Sequence, residues 1–154
     1  MIESEQASES TMAPGLRPFH LAILVDDLQA ARKFYGEFLG CTEGRSDSHW
    51  VDFDFHGHQL VCHLDTREKL GDSQHLNPVD GHGVPVPHFG IVLDLATWRQ
   101  TRDRLLQAGV NFVIEPTIRF RGEPGEQATM FFRDPAGNNL EIKAFADLSS
   151  LFAR

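Results

Sequence analysis

The sequence predicts an α+β fold made of two βαβββ modules, and three observations lead there. A strand-like run that opens with histidine occurs twice, as His20-Leu-Ala-Ile-Leu-Val-Asp and as His88-Phe-Gly-Ile-Val-Leu-Asp. Each run leads into apolar residues at helical spacing. Further on, Asp54-Phe-His-Gly-His-Gln-Leu-Val-Cys aligns with Asp134-Pro-Ala-Gly-Asn-Asn-Leu-Glu-Ile at a constant offset of 80. Self-similarity of this kind is the sequence mark of a repeated supersecondary unit.

The elements follow in order. Both histidine runs stand one or two residues after a proline and are β-branched and apolar, as strands require. In the first module Leu28, Ala31, Tyr35 and Phe38 repeat at i, i+3, i+7 and i+10, with Asp26 or Asp27 as N-cap and Gly40 as the stop. In the second, Leu95, Trp98, Arg102 and Leu105 share that spacing, Gly109 ends the helix, and Arg99-Gln-Thr-Arg-Asp-Arg forms its solvated face. A further strand is expected near 42–48 and near 111–120. Strands then flank an Asp-x-x-Gly hairpin turn in each half: Trp50 to Phe53 and Gln59 to Leu64, then Met130 to Arg133 and Asn139 to Ala144. The modules span 16–66 and 86–147. Asn77-Pro78, Asp80-Gly81 and Gly83 make 67–85 a linker. Residues 148–154 are a C-terminal tail.

Bulk composition narrows the function classes. Hydrophobic residues make up 41% and charged residues 23%, which suits a globular chain, and 154 residues suit one domain or two small modules sharing a core. The net charge of −8, with no run of Lys or Arg, argues against nucleic acid or an anionic membrane as partner. No apolar run approaches the ~20 residues of a membrane helix. Residues 1–15 have neither a basic start nor an apolar stretch and read as a flexible tail, so the expected compartment is a reducing cytoplasm. Cys41 and Cys62 are expected to be buried free thiols.

Strand alternation sets the chemistry. His20 shares a face with Ala22 and Leu24, His88 with Gly90 and Val92, and Glu141 with Asn139 and Lys143, while Leu140 and Ile142 point into a core. The two histidines are repeat-equivalent, so a pseudo-twofold axis would bring them together. Two imidazoles and a carboxylate form the facial triad suited to Fe(II) and similar divalent ions, with coordination positions left open.

At this point the chain resembles a known family, the vicinal-oxygen-chelate superfamily of glyoxalase I, extradiol ring-cleaving dioxygenases, fosfomycin-resistance enzymes and bleomycin-resistance proteins. The motifs that carry the resemblance are Phe19-His20-Leu-Ala-Ile-Leu-Val-Asp-Asp-Leu with Ala31-x-x-Phe34-Tyr35 and Leu39-Gly40, then Pro87-His88-Phe-Gly-Ile, Gly109-Val, and Phe132-Arg-Asp134-Pro135-x-Gly137-Asn138-x-Leu140-Glu141. They extend over about 16–147. The resemblance implies that the two modules form an incomplete barrel around one metal ion, with His20, His88 and Glu141 as ligands, in a homodimer. Trp50 to Leu64, Asn77-Pro-Val-Asp-Gly-His and Gly122-Glu-Pro-Gly-Glu-Gln are most similar to proteins predicted to be extradiol-type dioxygenases.

Glyoxalase I places a fourth ligand, a carboxylate, at the first-module position equivalent to Glu141. The offset of 80 lands on Val61, which cannot bind metal, unless Gln59 or His63 substitutes. The resemblance therefore points to an extradiol-type dioxygenase acting on a small substrate whose vicinal oxygens chelate Fe(II). A lyase, isomerase or thiol transferase on Mn, Ni or Zn is the alternative, and a metal-free binding protein of the bleomycin-resistance kind is the second. His63 is the candidate acid or base, Gln59 a candidate for binding substrate or metal-bound water, and Arg119 and Arg121 candidates for clamping an anionic substrate. Tyr35, on a helix, is expected to pack. His56 and His58 are expected in an exposed turn, and His49, His75 and His82 in loops without an assigned role.

Overall fold

The computed structural model describes residues 15–66, 75–79 and 81–152. The expected tail therefore lies almost wholly outside the described residues, as does the first part of the linker. The first module runs β1 (His20–Val25), α1 (Leu28–Ala31), a π-helical continuation (Arg32–Phe38), β2 (Thr42–Asp47), β3 (Trp50–Phe55) and β4 (His58–Leu64). The second runs β7 (Phe89–Asp94), α2 (Leu95–Gln107), β8 (Phe112–Arg119), β9 (Gln127–Arg133) and β10 (Asn139–Phe145). Their sheets have matching orders, β1-β4-β3-β2 and β7-β10-β9-β8, with the first pair parallel in each. The duplication read from sequence is thus a duplication of topology.

Local chemistry explains the helices. Asp27 accepts from the amides of Gln29 and Ala30 at 2.8 and 3.0 Å and starts α1. The continuation is π-helical, with Leu39 N bonded to Phe34 O at 3.0 Å, and this wider turn puts both Phe34 and Tyr35 into the core. The helical spacing identified only Tyr35 of that pair. Asp94 caps α2 through Thr97 N at 2.9 Å. Its inward face is Trp98, Thr101 and Leu105, so Thr101, expected on the solvated face, is buried instead. The Thr101 hydroxyl removes its own polarity by bonding Thr97 O at 2.9 Å, and Arg102 lies over the Trp98 ring instead.

A single core receives the helix-bearing faces of both sheets. Val51, Phe53, Leu60 and Cys62 enter it from the first, and Met130, Phe132, Leu140 and Ile142 from the second. Phe34 of the first module packs on Phe132 of the second with ring centroids 6.0 Å apart. Trp98 Nε1 donates to Ile142 O at 2.9 Å, and Asn138 Nδ2 crosses between modules to Leu24 O at 2.8 Å. Because strand residues alternate, the other face of each sheet looks away from this core. Those outer faces carry His20, Gln59 and Asp52 on one sheet, and Glu141, Thr129 and Lys143 on the other.

The segment read as a plain linker contains a hairpin, β5 (His75–Val79) with β6 (His82–Val86). Asn77-Pro78 and Gly83 fall inside its strands, where their turn character concealed it. Val84 packs with Ile114 and Phe131 on the outer face of the second sheet. The expected C-terminal tail likewise forms a short 3₁₀ turn, Leu148–Phe152. Cys41 and Cys62 are buried free thiols, and burial pushes the Cys41 thiol up to about 12.

Candidate metal centre

Glu141 occupies the middle of β10 on its outer face, yet its side chain is only 5% exposed. A carboxylate so placed needs partners. Thr129 Oγ1, diagonal to it on β9, donates to Oε1 at 2.7 Å, and Lys143 Nζ stands 3.7 Å from Oε2. His88 Nε2 lies 3.2 Å from the same Oε2. Burial pushes the Glu141 carboxyl up, but the bonds from His88 and Thr129 and the nearby Lys143 outweigh it and hold the group below its ordinary range. His88 moves the opposite way: its bond to Glu141 raises its pKa against the effect of burial.

The His88 ring is fixed on both sides. Its Nδ1 donates to Pro85 O at 2.6 Å, and the ring meets the edge of Phe131 at 5.0 Å. Pro85 O keeps the proton on Nδ1, so a divalent ion between His88 and Glu141 would take the place of the proton that Nε2 shares with Oε2, as in a metal-ligating histidine held by an outer partner. Two donors each ~2.1 Å from one ion, at roughly a right angle, are themselves ~3 Å apart. The His88–Glu141 pair therefore fits a shared divalent ion. Gly90 is in register with Glu141, and a Cβ there would overlap the Glu141 carbonyl, so only glycine allows this strand pairing.

His20 stands on the outer face of the other sheet, exposed, with Nδ1 2.7 Å from Gln59 Oε1. Gln59 Nε2 in turn donates to Asp52 Oδ2 at 3.2 Å. Among the described residues, no group of three or more His, Cys, Asp or Glu side chains is arranged to hold a metal. One chain thus brings His88 and Glu141 together and leaves His20 apart from them. A cleft of about 530 Å³ opens at His88 and Glu141, lined also by Gly90, Val92, Lys143 and His58.

The remaining expectations fall as follows. Val61 is buried on the outer face, in register with Ala22 and Asp52. Gln59 is engaged with His20 and Asp52. His63 is exposed and in register with Leu24, four residues along β4 from Gln59, which is ~13 Å of strand. Arg119 is a buried side chain that donates to Val79 O at 3.1 Å and lies over the Phe120 ring, so it ties the hairpin to β8, whereas Arg121 is exposed. Tyr35 is fully buried and donates to Asp134 at 2.8 Å. His56 is in an exposed turn as expected. His58 instead begins β4, half-buried, and its Nδ1 accepts from Phe19 N at 2.8 Å. The His49 ring bonds its neighbour Ser48, and His82 is exposed on β6. Thr129 and Asp52 were missed from sequence. The hairpin register around each Asp-x-x-Gly turn was the available signal, since it sets 129 diagonal to 141 and 52 diagonal to 59.

The family model for the Glyoxalase/Bleomycin resistance protein/Dioxygenase superfamily matches residues 17–142. The chain belongs to this superfamily. Among solved structures, a glyoxalase/bleomycin resistance protein/dioxygenase from Alicyclobacillus acidocaldarius is 32% identical, with 92% of this chain and 100% of that one covered and a TM-score of 0.73. The fosfomycin resistance protein FosX from Listeria monocytogenes is 19% identical over 92% of this chain and 100% of its own, with a TM-score of 0.61. A lactoylglutathione lyase from Agrobacterium tumefaciens is 21% identical over the same shares, with a TM-score of 0.58. The latter two likenesses concern the fold alone. No curated protein matches the chain. Superfamily membership accounts for the two-module α+β architecture, and no helix among the described residues is long and apolar enough to cross a membrane.

Proposed function

We propose that this superfamily member is a metal-dependent enzyme whose site is completed between two copies, with His88 and Glu141 from one chain and His20 from the other. The observation that carries the reading is the His88 Nε2–Glu141 Oε2 pair at 3.2 Å, locked by Pro85 O and Thr129. His20, a ligand-type residue on the outer face of the other sheet, is bonded to Gln59, and among the described residues of one chain no three ligand-type side chains converge. A homodimer that sets the outer face of one first module against the outer face of the other second module supplies the third.

A divalent ion held there, Fe(II) in this reading, contributes Lewis acidity and a template for vicinal substrate oxygens. The chain's own residues do the rest. Glu141 remains a carboxylate at neutral pH, His88 presents Nε2, and Lys143 adds positive charge at the lip of the cleft, where it favours an ionised hydroxyl of the substrate. Val61, at the position of a fourth protein ligand, would leave coordination positions of a bound ion open to substrate, which supports the extradiol-type dioxygenase reading. A proton-transfer role for His63 is confined to a substrate long enough to reach the rim of β4. The second reading is a lyase or transferase on the same ligands, whose open coordination positions serve it equally.

Complementation tests the shared site. His20→Ala and Glu141→Ala chains carrying different tags are co-expressed, and the mixed dimer is isolated. A shared site predicts one metal ion per mixed dimer and none in either parent. Absence of metal from the mixed dimer, with one ion per chain in the wild type, overturns the arrangement. O₂ uptake by Fe(II)-loaded wild type with a catechol panel, set against isomerisation or thiol addition in its absence, separates the two chemistries.

A further inference from the structure

We propose that Asp52 and Gln59 are positioning residues that set the tautomer of His20 and leave its Nε2 free to bind metal, through the side-chain chain Asp52–Gln59–His20 across β3, β4 and β1. The proposal rests on the reading of His20 as a ligand.

The register brings the three together. His20 lies directly opposite Gln59 on the parallel β1–β4 pair, and Asp52 lies diagonal to Gln59 on the antiparallel β3–β4 pair. Gly44 of β2 comes up behind Asp52, where a Cβ would stand 3.2 Å from that of Asp52. The order of donors and acceptors then follows from elementary chemistry. An ionised carboxylate only accepts, so Asp52 Oδ2, at 3.2 Å, takes an N–H from Gln59 Nε2. The Arg45 guanidinium stands 3.9 Å from the same oxygen. The Gln59 amide is thereby fixed in one of its two orientations, with Oε1 towards His20 at 2.7 Å. A carbonyl oxygen also only accepts, so the imidazole proton sits on Nδ1 and the lone pair on Nε2. Metals bind the lone pair.

The repeat supplies an internal comparison. Asn139 occupies the position equivalent to Gln59, but its Nδ2 donates to Pro87 O at 3.2 Å, and His88 receives its Nδ1 partner from Pro85 O. At both repeat-equivalent histidines Nδ1 faces an accepting oxygen, supplied by unrelated partners. Shared packing inherited from the duplication does not account for that, whereas a common demand for a free Nε2 does.

The test combines ¹⁵N imidazole spectra of the metal-free protein at a pH where His20 is neutral with titration by Zn(II). The wild type should show the Nδ1–H form of His20. Asp52→Asn, nearly isosteric, should lose that preference, because either end of the Gln59 amide can then face His20, and Zn(II) affinity should fall ~10–100-fold. Adding Gln59→Glu to Asp52→Asn should restore both, since the introduced carboxylate accepts from His20 and from the introduced amide without ambiguity. An unchanged tautomer and affinity in Asp52→Asn, with weakened Zn(II) binding in His20→Ala, overturns the positioning role alone. Unweakened Zn(II) binding in His20→Ala overturns the ligand reading and the proposal with it.

Discussion

Tyr35 of the first module donates its hydroxyl to Asp134 Oδ2 of the second at 2.8 Å, in the buried seam between the two. Asp134 is the repeat partner of Asp54, which is exposed and bonds Gly57 N at 2.6 Å in its own turn. Burial pushes the Asp134 carboxyl up, and its bonds from Asn138, Tyr35 and Ala136 oppose that. Tyr35→Phe removes one of these donors from a desolvated acid. Unfolding in urea should reveal a loss of about 1.5–3 kcal/mol with metal stoichiometry unchanged, and a loss under about 0.5 kcal/mol would show that the seam does not depend on this bond.

His56 and Gly57 form the two-residue turn between β3 and β4, both at positive φ, 53° and 87°. This is the turn in which Asn-Gly is preferred. Desolvation beside Phe55 lowers the His56 pKa below its ordinary 6.5. For a base whose folded value is depressed, stability is fully present above the unfolded pKa and is lost as pH falls through it. His56→Asn should raise the midpoint of thermal unfolding and flatten its decline between about pH 7 and about pH 5. A variant with the wild-type slope would assign that decline to other groups.

Gly90→Ala places a methyl group against the main-chain carbonyl of Glu141. Backbone must yield, so β7 and β10 separate at Glu141 itself. The expected cost is at least ~3 kcal/mol, above ordinary overpacking. Calorimetry alongside metal analysis should find both stability and metal reduced, whereas Val92→Ala on the same face should spare both.

His63→Ala should keep full metal content and lower turnover less than ~10-fold, because an effective base stands within hydrogen-bond reach of its proton and His63 stands ~13 Å along the strand from the level of His20. A loss of ~10²-fold or more would place substrate against the rim and restore His63 as the acid or base.

The duplication was legible because its signal is local. Repeated His-led strands, Asp caps and Asp-x-x-Gly turns each carry their own chemistry, and together they fixed both modules and the alternation that sets Glu141 opposite Leu140. The relation between the modules was not legible. Whether His20 joins His88 within one chain or across two could not be read, because which faces of two amphipathic sheets meet depends on total apolar area; here Phe34 of the first module packs on Phe132 of the second. The hairpin at 75–86 escaped notice because Pro78 and Gly83 are breakers in most strands and are tolerated in an exposed two-stranded ribbon. Arg119 read as a candidate clamp for an anionic substrate, since nothing local announces that it will bond Val79 O.

That hairpin joins the region of His88 and Glu141 to a distant stretch of chain. Its second strand ends at Val86, Pro85 O holds the His88 ring, Pro87 O is held by Asn139, and Val79 O is held by Arg119. A survey of substitutions scored only by metal retention would therefore find part of the sensitivity of His88 displaced onto residues that never touch an ion. Val84 and Arg119 would score as weak ligands, and the mutational footprint of the centre would be wider than its coordination sphere and lopsided towards the second module.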